Sequence, residues 1–216
     1  MSQGQRIVAM DTTGEFGSIA LVEDGEVVEE VALVSTDGFG RVLFSSIAEL
    51  MERHGWRFDQ VAGFAAGSGP GSFTGVRVGL AAAKGMAESA GVQAAAVSNL
   101  KAMASFGTAD WRAPFFDARR DEIFGALYDS GLAEVGTSTA QTLPDWLAGL
   151  PAEAELLTPN PASYLEALGG RSVTATPRAL AGVIGRLALT ELQDPVALDA
   201  NYVRRNDAKL NWKDEG

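Results

Sequence analysis

Two aspartates that could hold a magnesium ion stand at matching places in the two halves of this sequence. Asp11 follows the apolar run 7–10, and Asp117 follows the run 114–116. Carboxylates so placed could serve an ATP-hydrolysing site, because Mg²⁺ is bound by one or two carboxylates together with water and phosphate. The alternative is structural, since an aspartate that opens a turn accepts hydrogen bonds from nearby backbone N–H groups. We expect the structural role.

A glycine-rich stretch at residues 67–79 has the sequence GSGPGSFTGVRVG. It joins a strand-like apolar run, 61–66, to a helical run of small residues, 80–90. N–H groups at such a helix start can bind an anion, and glycine also lets another chain segment approach closely. A tight turn without a ligand is the alternative. The next residues are not a P-loop, because they lack a second glycine before Lys84 and a serine or threonine after it.

The other candidate groups supply neither a nucleophile nor a metal site. His54 is the sole histidine and stands beside Gly55 at the end of a predicted helix, where it favours the helix dipole. Ser72 has no histidine base to activate it. The sequence contains no cysteine, which excludes disulfides, thiolate catalysis and cysteine metal sites. We therefore predict no catalytic, cofactor-binding or metal-binding residue in this chain.

Charge and composition limit the classes of partner. The 216 residues have a formal net charge of −11, and an acidic protein repels phosphate backbones, so direct nucleic-acid binding is not expected. The densest basic cluster is Arg204–Arg205. The hydrophobic content of 46% is enough for a core, and no apolar run reaches the ~18 residues of a membrane span. Residues 1–6 lack the apolar stretch of a signal peptide, so we expect a cytoplasmic protein.

The elements that would position these residues recur in two halves of the chain. Four residues are repeated at one constant offset: Asp11, Ala20, Leu21 and Gly25 are matched by Asp117, Ala126, Leu127 and Gly131. Each half has the order strand, Asp-led turn, strand, tight turn, strand, and Asp24-Gly25 is a hairpin signal. We predict a duplicated α/β fold with lobes at 1–107 and 108–216, each a mixed sheet with flanking helices.

Periodicity gives the remaining elements. We predict a strand at 93–97 and helices at 40–54, 74–90, 98–106, 143–150, 161–168 and 177–192.

The glycine-rich stretch closely resembles the signature of the TsaB (YeaZ) family. The matching residues are 69–79 and the following AKGMA at 83–87, with support from the Asp-Thr-Thr at residue 11, the Asp-Ala-Arg at 117 and the ending Pro195…Tyr202-Val203-Arg204. The Asp-led hairpin in each half also resembles the actin-like (ASKHA, RNase H-like) superfold. Many family members have a histidine near residues 38–40, where this chain has Phe39 between glycines.

The resemblance implies a partner protein. TsaB proteins form a heterodimer with TsaD, which adds threonylcarbamoyl to the adenosine next to the anticodon of tRNA, and a small ATPase, TsaE, joins them. TsaD has a His-rich metal motif, which this sequence cannot form because it has a single histidine. The implied role is non-catalytic, with no cofactor of its own and nucleotide only at the junction with partner proteins.

The helix predicted at 74–90 has small or apolar side chains on more than one side, whereas a surface helix normally buries a single stripe. We therefore predict a partner interface on the first two helices, formed by Val42, Ser46, Gly75, Gly79, Ala82, Ala83 and Met86. Small side chains let a partner helix approach, and the isolated chain could form a homodimer through the same face. Packing against the chain's own sheet is the alternative.

Two other functions stay open at this point. One is a stand-alone actin-like ATPase or sugar kinase, and the other is a peptidase. ATP turnover by the purified chain would favour the first, and chelator-sensitive proteolysis would favour the second.

Overall fold

The computed structural model describes residues 4–34 and 38–203, so the Arg204–Arg205 pair and the last residue of the predicted ending motif lie outside the described residues. A first sheet is built from β1 (Arg6–Asp11), β2 (Gly17–Glu23), β3 (Glu26–Leu33), β4 (Gly63–Gly67) and β5 (Gln93–Val97). Its strand order is β3-β2-β1-β4-β5. The first three strands are antiparallel, and β4 and β5 continue the sheet in parallel with β1. Asp24 and Gly25 both have positive φ, as the predicted two-residue hairpin requires.

A second sheet is built from β6 (Trp111–Arg119), β7 (Glu122–Gly125), β8 (Tyr128–Asp129), β9 (Thr139–Thr142), β10 (Glu155–Thr158) and β11 (Val173–Ala175). The order is β11-β10-β6-β7-β9, and β8 also pairs with β6. Here too a central strand, β6, pairs antiparallel with the next strand and parallel with a later one, β10. The two sheets therefore have the mixed, two-lobe arrangement that the repeated sequence predicts.

Within the described ranges, five helices flank the sheets: α1 (Leu43–Arg53), α2 (Phe73–Ala90), α3 (Asn99–Ala104), α4 (Leu143–Ala148) and α5 (Ala181–Ala188). α1 and α2 share one buried cluster with Val8, Met10 and Phe64 of the first sheet. The opposite face of that sheet, which includes Ile7 and Ala9, packs with α3 and α5. β1 is thus covered on both faces, which explains its uninterrupted apolar sequence.

The Asp-led hairpin has the same local structure in both lobes. The Oδ1 atom of Asp11 accepts a hydrogen bond from the N–H of Thr13 at 3.0 Å, and Oδ1 of Asp117 accepts one from the N–H of Arg119 at 2.7 Å. Each aspartate therefore fixes the backbone two residues further on, which is the structural role expected from the sequence.

Helix α5 lies outside the lobe in which the sequence places it. The predicted C-terminal lobe spans 108–216, yet α5 packs on the strands of the first sheet. A Cβ atom on Gly185 would lie 2.6 Å from Val22 and 3.0 Å from Ala9. The Oγ atom of Ser18 accepts hydrogen bonds from the N–H groups at the start of α5, at 3.2 and 3.0 Å. The apolar face of β1 and β2 needs a cover, and α5 returns from the second half of the chain to supply it.

Two of the predicted helices are shorter in the structure. Residues 161–168 form only a 3₁₀ turn at Pro161–Tyr164, because few side chains of this segment reach the core to support a longer helix. Of the helix predicted at 177–192, only α5 (Ala181–Ala188) is helical. The chain after it turns back, and residue 193 pairs with Ala94 of β5. Among the described residues, no helix is long and apolar enough to cross a membrane.

Candidate functional site

A cleft of about 1240 Å³ lies between the two sheets. The first lobe contributes the end of β1 and the glycine-rich loop before α2. The second lobe contributes the Asp117 turn and the segment that follows β10. Both Asp-led hairpins, and hence the two aspartates that the sequence offers as magnesium ligands, line this space.

The Asp11 carboxylate is held in a buried network at the cleft wall. Its Oδ1 atom accepts hydrogen bonds from the N–H and the hydroxyl of Thr13, at 3.0 and 2.7 Å. Its Oδ2 atom accepts one from Nδ2 of Asn99 at 3.0 Å. Asn99 in turn accepts a hydrogen bond from the N–H of Gly69, also at 3.0 Å, so the network connects β1, α3 and the glycine-rich loop. These side chains hold three segments of the chain together.

Burial dominates the electrostatics of this carboxyl. The pKa of Asp11 is raised above its ordinary value because desolvation outweighs the hydrogen bonds from Thr13 and Asn99, which favour the ionised form. Each donor already points at a carboxylate oxygen. Asp11 therefore has a structural role, and it could bind a metal ion only if this hydrogen-bond network rearranged.

The glycine-rich loop packs against the chain that follows β1. The N–H of Ser72 donates to the carbonyl oxygen of Thr13 at 2.6 Å. A Cβ atom at Gly71 would lie 2.5 Å from that same oxygen, and one at Gly75 would lie 2.0 Å from the carbonyl oxygen of Thr12. Of the roles that the sequence allows for these glycines, the structure shows the close approach of another chain segment. Ser72 caps α2 by accepting a hydrogen bond from the N–H of Gly75 at 3.2 Å.

The turn of the second lobe brings charged side chains of both signs to the mouth of the cleft. Arg119, Arg120 and Asp121 all have positive φ, a left-handed backbone conformation that is uncommon for non-glycine residues. The guanidinium of Arg119 forms an ion pair with Glu15 of the first lobe. This pair links the two Asp-led turns across the cleft, but both side chains are exposed, so it adds little stability.

His54 has a structural partner. Its Nε2 atom lies 2.5 Å from Oε2 of Glu29 on β3, and Arg53 pairs with the same carboxylate. The hydrogen bond from His54 and the charge of Arg53 hold the pKa of Glu29 below its usual value. Within residues 4–34 and 38–203, no group of three or more histidine, aspartate or glutamate side chains is placed to hold a metal ion.

The structure contradicts part of the predicted partner interface. Gly79, Ala82, Ala83 and Met86 are buried within the chain itself. Gly79, for example, faces the Thr12 hydroxyl, which leaves no room for a larger side chain. Residues that pack against their own sheet are unavailable to a partner. Gly75 is half-buried but also faces its own chain, since a Cβ atom there would lie 2.0 Å from the carbonyl oxygen of Thr12. The interface stays a prediction for the half-buried Val42 and Ser46.

A different set of small and apolar residues forms part of the exposed surface of α1 and α2. On α2, Ala81 is exposed, and a Cβ atom on Gly85 would meet nothing within 4 Å. On α1, Phe44 is 56% exposed, and Ala48, one turn further on, is exposed as well. Residues four apart lie on one side of a helix, so each helix presents one such pair outward. We call these four residues the outer helix surface.

Sequence analysis missed two residues of the cleft, Asn99 and Thr158. Each comes just after or at the end of a strand that runs parallel to the central strand of its lobe. Polar residues at the carboxyl ends of parallel strands meet at one edge of a sheet, and this position was the available signal.

Exchanging the side chains of Asp11 and Asn99 tests the hydrogen bond between them. We expect Asp11→Asn to lower the free energy of unfolding by about 1–3 kcal/mol, because an amide at position 11 turns an N–H₂ group toward the N–H₂ group of Asn99 or toward the Thr13 donors. The double variant Asp11→Asn/Asn99→Asp restores a donor–acceptor pair and should recover part of that loss. Urea denaturation of the two single variants and the double variant measures the coupling. Additive losses would contradict a direct hydrogen bond.

Comparisons with known proteins agree with this geometry. The family model described as "TsaD: tRNA N6-adenosine threonylcarbamoyltransferase" matches residues 34–162. Two curated relatives are named "tRNA threonylcarbamoyladenosine biosynthesis protein TsaB". The protein from Haemophilus influenzae is 36% identical over 126 residues, which cover 56% of this chain and 53% of the relative. The protein from Escherichia coli is 35% identical over 130 residues, which cover 57% and 54%. The chain thus spans about half the length of these relatives.

Solved structures establish the fold. One from Pseudomonas aeruginosa, described as an uncharacterized protein with similarity to peptidase YEAZ, has a TM-score of 0.78 at 22% identity and covers 93% of this chain and 100% of that one. Another, described as YeaZ from the same organism, has a TM-score of 0.76 at 22% identity and covers 92% and 99%. These likenesses confirm the predicted α/β fold of two mixed sheets with flanking helices.

Proposed function

We propose that this chain, which belongs to the TsaB (YeaZ) family, is the non-catalytic partner of a TsaD homologue. The TsaB family lies within the wider TsaD family. The heterodimer would take part in adding threonylcarbamoyl to the adenosine next to the anticodon of tRNA, and a TsaE-type ATPase would join it. In this role the chain supports the transferase and does not perform the transfer.

The observation that carries the proposal is the use of the cleft's principal carboxylate. In an actin-like enzyme the Asp-led turn would face the phosphates of a nucleotide, whereas Asp11 here has both oxygens occupied by donors of its own chain. The glycine-rich loop is likewise used for internal packing, since the carbonyl oxygens of Thr12 and Thr13 lie where a side chain on the loop would be. Both features favour a scaffold over an ATPase or a sugar kinase.

The outer helix surface is the binding site that we propose for the partner. Its members are small or apolar, and α1 and α2 cover the same face of the first sheet, so a helix pair of a homologous protein can lie against them. The net charge of −11 disfavours tRNA as a direct partner of this chain. The proposal therefore assigns tRNA to the other subunit and nucleotide to the junction between proteins.

The proposal predicts that Ala81→Arg disrupts the heterodimer. A long charged side chain at the centre of a helix contact should weaken association by at least about thirtyfold, equivalent to about 2 kcal/mol. The measurement is co-purification and titration calorimetry with the TsaD homologue of the same organism. The matched control is Ala152→Arg, an exposed alanine of the second lobe, which should bind as the wild type does.

Two results would contradict the proposal. One is a folded wild-type chain that fails to bind the TsaD homologue. The other is steady ATP turnover by the isolated chain that Asp11→Asn abolishes, which would assign the function to the cleft. If Ala81→Arg binds normally while the wild type also binds, the partnership holds and the outer helix surface is the wrong site.

A further inference from the structure

The surface beside α1 points to the way in which a partner is held: we propose that a groove at the end of this helix receives a large apolar side chain from the first helix of the TsaD homologue. The groove has a volume of about 420 Å³ and lies between the second half of α1 and residues 55–58. We call it the α1 groove. The inference rests on the proposed function, because it names the contact that would anchor the partner.

The side chains that line the α1 groove are mostly apolar. Met51 and Trp56 line it and belong to the core behind it, yet they keep 6% and 7% of their surface exposed. Phe58 is 40% exposed, and its ring packs on the buried Phe64 with 5.5 Å between centroids, which holds it in place. Such an open, preformed apolar hollow is where the few side chains that dominate an interface usually bind.

Two small residues leave the α1 groove open. Ala48 is exposed on α1, and Gly55 follows the end of the helix. A Cβ atom on Gly55 would meet no described atom within 4 Å, and its φ of +65° favours glycine over a residue with a side chain. The charged Glu52 and Arg57 are exposed beside the apolar residues. An apolar centre with a charged rim is the usual anatomy of a protein–protein contact.

The α1 groove continues the outer helix surface, because Ala48 belongs to both. Phe44, whose ring is 56% exposed, lies four residues before Ala48, and Glu52 at the groove lies four residues after it. Four residues span about 6 Å along a helix, so α1 presents an exposed ring and a groove at similar distances on either side of Ala48. Residues four apart share one side of a helix, which places both features on the exposed side of α1.

The family comparison supports a helix of the TsaD homologue as the occupant. The TsaD model matches residues 34–162, a range that contains both α1 and the groove, so we expect the homologue to have a helix that corresponds to α1. Two such helices that pack around a pseudo-twofold axis near Ala48 run antiparallel, and each then presents its start to the end of the other. The residue of the homologue that corresponds to Phe44 would enter the α1 groove.

Substitution of Phe58 tests the groove. Phe58→Ala removes part of the lining and should weaken binding of the TsaD homologue at least about tenfold in titration calorimetry, while Phe58→Leu, which keeps an apolar side chain, should retain most of the affinity. The matched control is Phe106→Ala, because Phe106 is 37% exposed and lies outside both the α1 groove and the outer helix surface. Circular dichroism and the urea midpoint report whether each variant is folded. Wild-type affinity in Phe58→Ala, or an equal loss in Phe106→Ala, would overturn the inference.

A thiol at the groove reports its coverage without the loss of an apolar contact. The chain has no cysteine of its own, so Arg57→Cys introduces a single reactive group. The ion pair with Asp59 that this change removes is exposed and adds little stability. Alkylation by N-ethylmaleimide, followed by mass spectrometry of this chain, should slow at least about tenfold when the TsaD homologue is bound, because access controls the rate. Ala152→Cys is the control and should react at its free rate.

The outcomes separate this inference from the proposed function. A wild-type chain that does not bind the TsaD homologue would contradict both. If the wild type binds the homologue while Arg57→Cys reacts at its free rate, the inference is wrong and the partnership stands. Slowed alkylation that depends only on the concentration of this chain, and not on the homologue, would assign the groove to a second copy and contradict the inference as well.

Discussion

Gly75→Ala is expected to lower the free energy of unfolding by about 3 kcal/mol or more. Gly75 lies in the first turn of α2, where helix propensity alone favours alanine over glycine. However, a Cβ atom there would lie 2.0 Å from the carbonyl oxygen of Thr12. Backbone cannot rotate away as the end of a side chain can. The helix start must therefore move from β1, and the hydrogen bond from the Thr12 hydroxyl to the Gly75 carbonyl oxygen would be lost.

Gly85→Ala is the matched control on the same helix. A Cβ atom at Gly85 meets nothing within 4 Å, so the substitution should stabilise the protein by about 0.5–1 kcal/mol through helix propensity alone. Urea denaturation of both variants measures the two changes. If Gly75→Ala is as stable as Gly85→Ala, the close approach between α2 and the chain after β1 is absent in solution.

The glycine-rich stretch 67–79 shows which features of the fold can be predicted from the sequence and which cannot. The run at 67–79 predicts a strand-to-helix passage with close backbone contact, and the structure confirms both. Composition cannot say which group approaches, because glycine permits an anion and a chain segment equally. The approaching segment, Thr12–Thr13, is about sixty residues away in the sequence, and only the pairing of β1 with β4 brings it there.

The sequence predicts a structural feature correctly when the residues that cause it are neighbours in the chain. The Asp24-Gly25 hairpin and the Ser98 cap on α3 depend on residues within three positions of each other. The position of α5 and the bond from Asn99 to Asp11 depend on contacts more than 80 residues apart along the chain. Periodicity shows that a helix has an apolar side but not which sheet covers it, so it does not reveal that α5 packs on the first sheet.

The α2 helix shows the same limit on a finer scale. Its sequence has small or apolar residues on more than one side, and the sequence prediction assigns the side with Ala82 and Met86 to a partner. The structure covers the side that includes Ala82 with α1 and the first sheet, and leaves Ala81 and Gly85 outside. Consecutive residues of a helix point about 100° apart, so the neighbours Ala81 and Ala82 can lie on the surface and in the core, respectively.

Ala82→Arg is therefore expected to lower the free energy of unfolding by about 3–5 kcal/mol, whereas Ala81→Arg leaves it near the wild-type value. Ala82 is 5% exposed and belongs to the cluster that includes Leu80, Ala83 and Met86. A guanidinium placed there loses its water without gaining a partner, which costs about 3–5 kcal/mol. Since a domain of this kind has only about 5–15 kcal/mol of total stability, that loss is a large fraction of it.

The pair of variants separates core from interface, because the same side chain is introduced at adjacent positions. Circular dichroism and the urea midpoint report the fold, and light scattering reports any self-association. Ala81→Arg should keep the wild-type midpoint and remain monomeric, because a new charge on the outer helix surface opposes a homodimer as it opposes the TsaD homologue. An Ala82→Arg protein with a wild-type midpoint would show that Ala82 is solvent-accessible. Its side of α2 would then be the partner surface, as the helical periodicity alone suggested.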